Sequence, residues 1–186
     1  MRKAIVCAVA LALATAAAAN AGVITDIQCY FGGPSSNHTW WFDYQNQVLH
    51  LSEQCDGYGY EWVQMVGTAG DGRATTFHVN KTVVNNTTLD WVAYELELIG
   101  DATFVINLPT TPTNTVFTTL VTATPTYIEW AQPPTVPPGG TVTFGLDITI
   151  PDGPFNFTLR QAAVPIPEPA SLLLLGLGFA MALRRR

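Results

Sequence analysis

The sequence predicts an all-β fold, a single antiparallel β-sandwich set between two apolar ends. Apolar and polar residues alternate with a period of two in many short segments. The cleanest is Val142, Phe144, Leu146, Ile148 and Ile150 against Thr141, Thr143, Gly145, Asp147 and Thr149. That period marks strands with one buried face. Clusters of Gly, Pro, Asn and Asp cut the segments at short intervals. Between the termini no segment shows a convincing helical pattern. An immunoglobulin-like sandwich is the expected architecture, with a jelly roll as the alternative.

The chain begins with Arg2 and Lys3, followed by an apolar run from Ala4 to Ala19 and a small-x-small site at Ala19-Asn20-Ala21. This is the pattern of a secretory signal peptide over residues 1–21. The predicted sandwich domain then occupies residues 22–161.

Val23, Thr25, Ile27, Cys29 and Phe31 alternate with Ile24, Asp26, Gln28 and Tyr30 as a first strand, broken at Gly32-Gly33-Pro34. Thr39 to Tyr44 and Val48 to Leu51 read as a hairpin turning at Gln45-Asn46-Gln47. A loop follows at Asp56 to Tyr60, then strands at Trp62 to Val66 and Thr75 to Lys81. Asn85-Asn86-Thr87 turns into a half-exposed strand with Val92, Tyr94, Leu96 and Leu98 on one face and Ala93, Glu95 and Glu97 on the other. Phe104, Ile106 and Leu108 read as the next strand. Residues 109–126 are rich in Thr and Pro, but Val116, Phe117, Leu120 and Val121 need burial, so they predict a short edge strand between loops. Pro133 to Gly140 reads as a stiff turn, and Phe155, Phe157 and Leu159 as a last strand leading out through residues 161–166.

Charge is unevenly placed. Five of the eight Lys and Arg lie in the two ends, whereas all fourteen acids lie between Asp26 and Glu168. The stretch from Asp26 through Glu168 keeps Arg73, Lys81 and Arg160 and carries a net charge of −11. Such a chain repels nucleic acid, whose binding needs clustered cations. With Cys7 in the leader, Cys29 and Cys55 remain. In an oxidising compartment they are expected to pair, closing a loop of about 27 residues at roughly 3.5 kcal/mol. Two free thiols or half of a metal site are the alternatives.

Residues 162–186 form a separate tail. Pro167-Glu168-Pro169 is stiff and extended, Ala170 to Leu183 is uncharged, and Arg184, Arg185 and Arg186 close the chain. As a helix, residues 170–183 rise about 21 Å, short of the roughly 30 Å of bilayer hydrocarbon. Leu172, Leu173, Leu174, Leu175, Leu177 and Phe179 are the expected membrane-facing anchor, with the arginines on the cytoplasmic side. An ordinary short anchor is the alternative reading, but it gives the Pro-Glu-Pro element no role. This tripartite tail resembles the PEP-CTERM sorting signal of bacteria. The resemblance implies recognition and processing by exosortase near Pro167-Glu168-Pro169. It also implies anchoring in the membrane beforehand, and then a place on the cell surface or in an exopolysaccharide or biofilm matrix. It carries sorting and no activity.

Little else carries chemistry. His38, His50 and His78 have no metal-ligand spacing, no nucleophile motif occurs, and no cofactor is expected. Glu95 and Glu97 share a strand face about 7 Å apart, as two carboxylates of a glycosidase could, but such acids usually serve solubility. The sequence therefore predicts no enzyme. Aromatic residues are the better lead: Trp40, Trp41, Tyr58 and Tyr60 flank the expected disulfide loop and are the candidate glycan-binding residues. Trp40, Phe42 and Tyr44 are expected on one face and Trp41 on the other. The Asn-x-Thr sequences at Asn37, Asn80, Asn85, Asn86 and Asn156 read as chance in a Thr- and Asn-rich chain. The expectation is a structural or adhesive surface or matrix protein, with a carbohydrate-binding module as the alternative.

Overall fold

A computed structural model describes residues 22–166. The expected signal peptide (1–21), the Pro167-Glu168-Pro169 motif, the anchor helix (170–183) and Arg184 to Arg186 lie outside the described residues. Among the described residues there is no helix. The strands are β1 (Val23–Gly32), β2 (Ser35–Asp43), β3 (Val48–Cys55), β4 (Glu61–Gly70), β5 (Thr75–Asn85) and β6 (Trp91–Gly100). They continue as β7 (Thr103–Phe104), β8 (Thr113–Asn114), β9 (Thr119–Ala123), β10 (Tyr127–Val136), β11 (Thr141–Ile150) and β12 (Gly153–Pro165).

Two sheets result. Sheet A runs β1-β4-β12-β6-β10-β9, and sheet B runs β2-β3-β5-β11-β7, with β8 also on β11. Their inner faces follow the alternation in the sequence. Val63, Met65, Leu96, Ile128, Phe157 and Leu159 come from sheet A, and Leu49, Leu51, Phe77, Val79, Phe144 and Leu146 from sheet B, all buried. Each such side chain contributes about 1.5–3 kcal/mol on leaving water.

Not every pairing is antiparallel, which corrects the purely antiparallel expectation. β3 pairs β5 in parallel. The reason is the path between them: β4 crosses to sheet A, so the chain returns to sheet B in its former direction. Tyr94, Leu96 and Leu98 face inward as expected, but Trp91 and Ala93 are buried too. The pairing of β6 with β10 and β12 slips next to Trp91, so the alternation shifts there. Trp91 Nε1 donates to Thr87 Oγ1 at 3.2 Å, so the buried indole keeps its polar contact.

The expected strand through Phe104, Ile106 and Leu108 shrinks to Thr103–Phe104. Pro109 has no N–H to offer a ladder. Residues 107–111 instead close a turn, with Thr110 N and Thr111 N donating to Asn107 O. The Thr- and Pro-rich segment supplies the edge strand β9, with Phe117 buried and Val121 exposed. β10 extends through Pro133 and Pro134 to Val136, and the turn is confined to residues 137–140. β12 does not end near residue 161 but runs to Pro165, placing Gln161 and Ala163 inside.

The expected Cys29–Cys55 disulfide is absent. Both cysteines are free and buried. Cys29 sits on β1 of sheet A and Cys55 ends β3 of sheet B, each in phase with the inward residues of its strand. Burial pushes the Cys29 thiol up to about 12. Burial, then the neighbouring Glu61, pushes the Cys55 thiol up as well.

Candidate functional site

The outer face of sheet A carries the most developed surface. The register aligns one residue from each of five strands: Gly32 (β1), Trp62 (β4), Arg160 (β12), Glu97 (β6) and Tyr127 (β10). This row crosses four strand spacings of about 4.8 Å, roughly 19 Å in all. Tyr60 enters from the turn before β4, and Tyr30 lies two residues from Gly32 along β1, on the same face. Tyr30, Tyr60 and Trp62 are 56%, 55% and 39% exposed.

Two local contacts set the shape of this face. A Cβ on Gly32 would lie 2.2 Å from Cζ2 of Trp62 and 2.4 Å from its Cε2, so the indole covers the Gly32 backbone. Only a residue without Cβ lets Trp62 lie this close to the sheet. The second contact is Arg160. Its guanidinium lies 4.3 Å from the centre of the Tyr60 ring, and Nη2 pairs with Glu97 Oε2. A guanidinium over a ring is attracted by the ring's negative face. Tyr60, Arg160, Glu97, Glu95, Tyr127 and Gln161 line a cavity of about 220 Å³. Burial, then Glu95 and Glu129, pushes the Tyr127 hydroxyl up to about 12.

The aromatic residues singled out in the sequence do not form one platform. Trp40 packs partly against the core. Trp41, 56% exposed, lies on the outer face of sheet B. There it stacks on His50 with centroids 3.8 Å apart and planes 5° apart. With Thr39, Ser52, Asn80 and Thr82 it lines another cavity of about 220 Å³. Tyr58 is exposed in the loop before Tyr60. Phe42 is buried, whereas Tyr44 is exposed where the chain turns after β2. The alternation identified Trp41 as the outlier correctly. Trp62 lies beside Tyr58 and Tyr60 in the sequence but was not among the candidate residues, since its resting place depends on Gly32 of a non-adjacent segment.

The histidines are engaged singly. His38 stacks on Phe31, and His78 Nδ1 lies 2.6 Å from Asp147 Oδ1. Asn85 is fully buried, its side chain donating to Leu89 O and Val136 O.

A polar cluster lies between the sheets: Glu53 (β3), Lys81 (β5), Glu61 (β4) and Gln161 (β12), all buried. Its signal was present in the sequence. Glu53 keeps phase with Leu49, Leu51 and Cys55, and Lys81 with Phe77, Val79 and Val83. Glu61 keeps phase with Val63 and Met65, and Gln161 with Phe157 and Leu159. A charged residue in phase with a buried stripe must bring its partner inside.

Residues 165–186 match the family model of the PEP-CTERM protein-sorting motif. That span contains Pro167-Glu168-Pro169, the leucines from Leu172 and the three arginines. The motif marks an exported chain, anchored in the membrane by its C-terminus before exosortase, a membrane protease, processes it. No curated protein matches the chain. Among solved structures, it is similar to the chitinase ChiA74 from Bacillus thuringiensis at 14% identity and a TM-score of 0.27, covering 71% of this chain and 19% of that one. It is similar to a structure of carbohydrate-binding modules from the β-sandwich superfamily at 8% identity and a TM-score of 0.26, covering 76% and 57%. It is also similar to the CUB1-EGF-CUB2 domains of rat MASP-1 at 12% identity and a TM-score of 0.24, covering 65% and 44%. The chain spans less than two thirds of each of these structures, and at such TM-scores none carries an argument about fold or function.

Proposed function

We propose that this exported chain is a non-catalytic adhesive protein of the cell surface or extracellular polymer, and that it holds polysaccharide on the outer face of sheet A. The supporting observation is the Trp62 platform. One face of the indole rests on Gly32 and the exposed part offers a flat apolar surface beside Tyr60 and Tyr30. Sugar rings have apolar faces and hydroxyl edges. An exposed aromatic ring takes the first, and Arg160, Glu97, Glu95 and Tyr127 supply donors and acceptors for the second. A row of about 19 Å, built from strand spacings, suits several rings of a chain rather than one. Lys81 is buried, so Arg73 and Arg160 are the exposed or half-exposed cations among the described residues. The polymer is therefore neutral or basic rather than acidic. Glu97 is engaged by Arg160, so the two strand carboxylates serve as hydrogen-bonding groups and not as a hydrolytic pair.

The test is retention of the purified chain on insoluble neutral polysaccharides and on exopolysaccharide, beside Trp62→Ala and Trp41→Ala. Trp62→Ala should lose at least ten-fold in affinity with its melting curve intact, Trp41→Ala should bind normally, and no reducing sugar should be released. Equal retention of Trp62→Ala and the native chain would overturn the proposal. Loss confined to Trp41→Ala would move the site to the Trp41–His50 stack on sheet B, the second reading that its cavity supports.

A further inference from the structure

The cluster between the sheets touches the surface just described only through Gln161, and a buried ion pair lies at its centre. Lys81 Nζ donates to Glu53 Oε1 at 2.6 Å, and both side chains are almost completely buried. The two residues stand on the adjacent parallel strands β3 and β5, where Leu51 is opposite Lys81 and Glu53 opposite Val83. They are thus diagonal neighbours on one inward face. From sheet A, the Gln161 amide donates both to Glu53 Oε1 and, at 2.9 Å, to Glu61 Oε2. Glu61 and Gln161 are directly opposite each other on β4 and β12. Glu53 Oε2, Glu61 Oε1, Gln161 Oε1 and the Tyr94 hydroxyl accept or donate no hydrogen bond within the protein.

A buried ion pair recovers less from its mutual attraction than it loses in hydration, unless every remaining lone pair is satisfied. Here they are not. An amide between the same two side chains would remove both charges from the interior while keeping the strands joined. The carboxyl carbon of Glu53 is one bond beyond the contacted oxygen. That puts it near the roughly 3–3.5 Å separation of a near-attack geometry.

We propose that Lys81 and Glu53 condense inside the folded domain into an isopeptide bond, with Glu61 carrying the proton. A proton passes from Lys81 Nζ to Glu53 along their hydrogen bond, leaving a neutral amine and a neutral acid. Nζ adds to Cδ of Glu53 while Glu61 protonates the carbonyl oxygen and takes a proton from Nζ. Gln161, already donating to Oε1, steadies the oxygen on which charge develops. One hydroxyl of the resulting diol is then protonated by Glu61 and leaves as water, and the remaining hydroxyl proton returns to Glu61. One C–N bond has formed, one C–O bond has broken, one water has left, and Glu61 ends as it began. Burial, offset in part by Cys55 and raised further by Glu53, brings the Glu61 carboxyl up to about 7, where it gives and takes protons readily near neutrality. Only the folded chain aligns these groups, so the unfolded chain does not react.

The experiment is mass spectrometry of the full chain and of its proteolytic peptides, with the chain purified in its folded state and the peptides fixing any processing of its ends. The native chain should be lighter than its sequence by one water. Trypsin should fail to cut after Lys81, and a branched peptide should join Glu53 to Lys81. Glu61→Gln, folded by its melting curve, should keep the full mass. A folded native chain at full mass, cut normally after Lys81, would overturn the proposal. So would a water loss that maps to an Asp-Gly succinimide at Asp56, Asp71 or Asp152, or a loss of ammonia that maps Lys81 to Gln161.

Discussion

Glu61 holds a proton at pH values where an ordinary glutamate has lost it. Desolvation on the inner face of β4 is the main cause, and it moves the group from 4.5 to about 7. The direction makes its effect on stability opposite to that of a salt-bridged carboxylate. Below about 4.5 both folded and unfolded chains carry the proton, and Glu61 imposes no penalty. Between 4.5 and about 7 the unfolded chain has released it and the folded chain has not, so stability falls as pH rises. The loss is on the order of 3 kcal/mol at about 1.4 kcal/mol per unit. Urea unfolding of Glu61→Gln across that range should lack this decline, while the native chain shows it. Parallel curves would mean that Glu61 titrates normally.

At the scale of the element, the Gly32–Trp62 contact shows how β1 and β4 make a surface that neither makes alone. In Gly32→Ala the new methyl meets the indole ring, so Trp62 must leave the sheet. Crowding of this kind costs typically about 1–3 kcal/mol. Because the ring moves outward rather than into the core, the larger effect should fall on polysaccharide retention, to near that of Trp62→Ala. Unchanged retention would show that the resting position of the ring is immaterial. The elements themselves were largely legible. β11 appears in the sequence with its limits intact, since its alternation runs unbroken from Thr141 to Ile150. The lengths of β4 and β12 were not, because Gly67 read as a stop and residues 161–166 read as a lead-out to the tail. Gly67 is held between Asp26 O and the Phe155 ring, so a glycine that resembles a turn in the sequence is a close approach in space. The outer face of sheet A was legible only in part. Tyr60 was identified, whereas Arg160, Trp62 and Tyr127 join it through long-range register that local alternation does not encode.

For the whole molecule, the two thiols report on the sandwich as a unit. Cys29 and Cys55 belong to different sheets, yet both face inward and both have thiols shifted upward by burial. Thiolate is the reactive form, so neither should alkylate while the domain is closed. Iodoacetamide should label them at one common rate, set by opening of the whole domain, and immediately in denaturant without reductant. Faster labelling of one would show that its sheet opens separately. Labelling that required reductant would mean that the two are joined after all. An oxidising compartment favoured a bridge between the two remaining cysteines, but it says nothing of which sheet each strand enters.

The last strand also decides how the molecule bears a pull. β12 lies in the interior of sheet A, bonded to β4 on one side and β6 on the other along most of its length. The sorting motif begins where this strand ends, at Pro165. A load arriving from a tether there runs along the axis of β12. The hydrogen bonds on both flanks, which stand across that axis, are then strained in shear and must yield together. Had the chain left from the edge strand β9, the same load could have peeled one ladder open bond by bond. A load applied at Pro165 is therefore taken up by two ladders at once, in the middle of sheet A rather than at its rim.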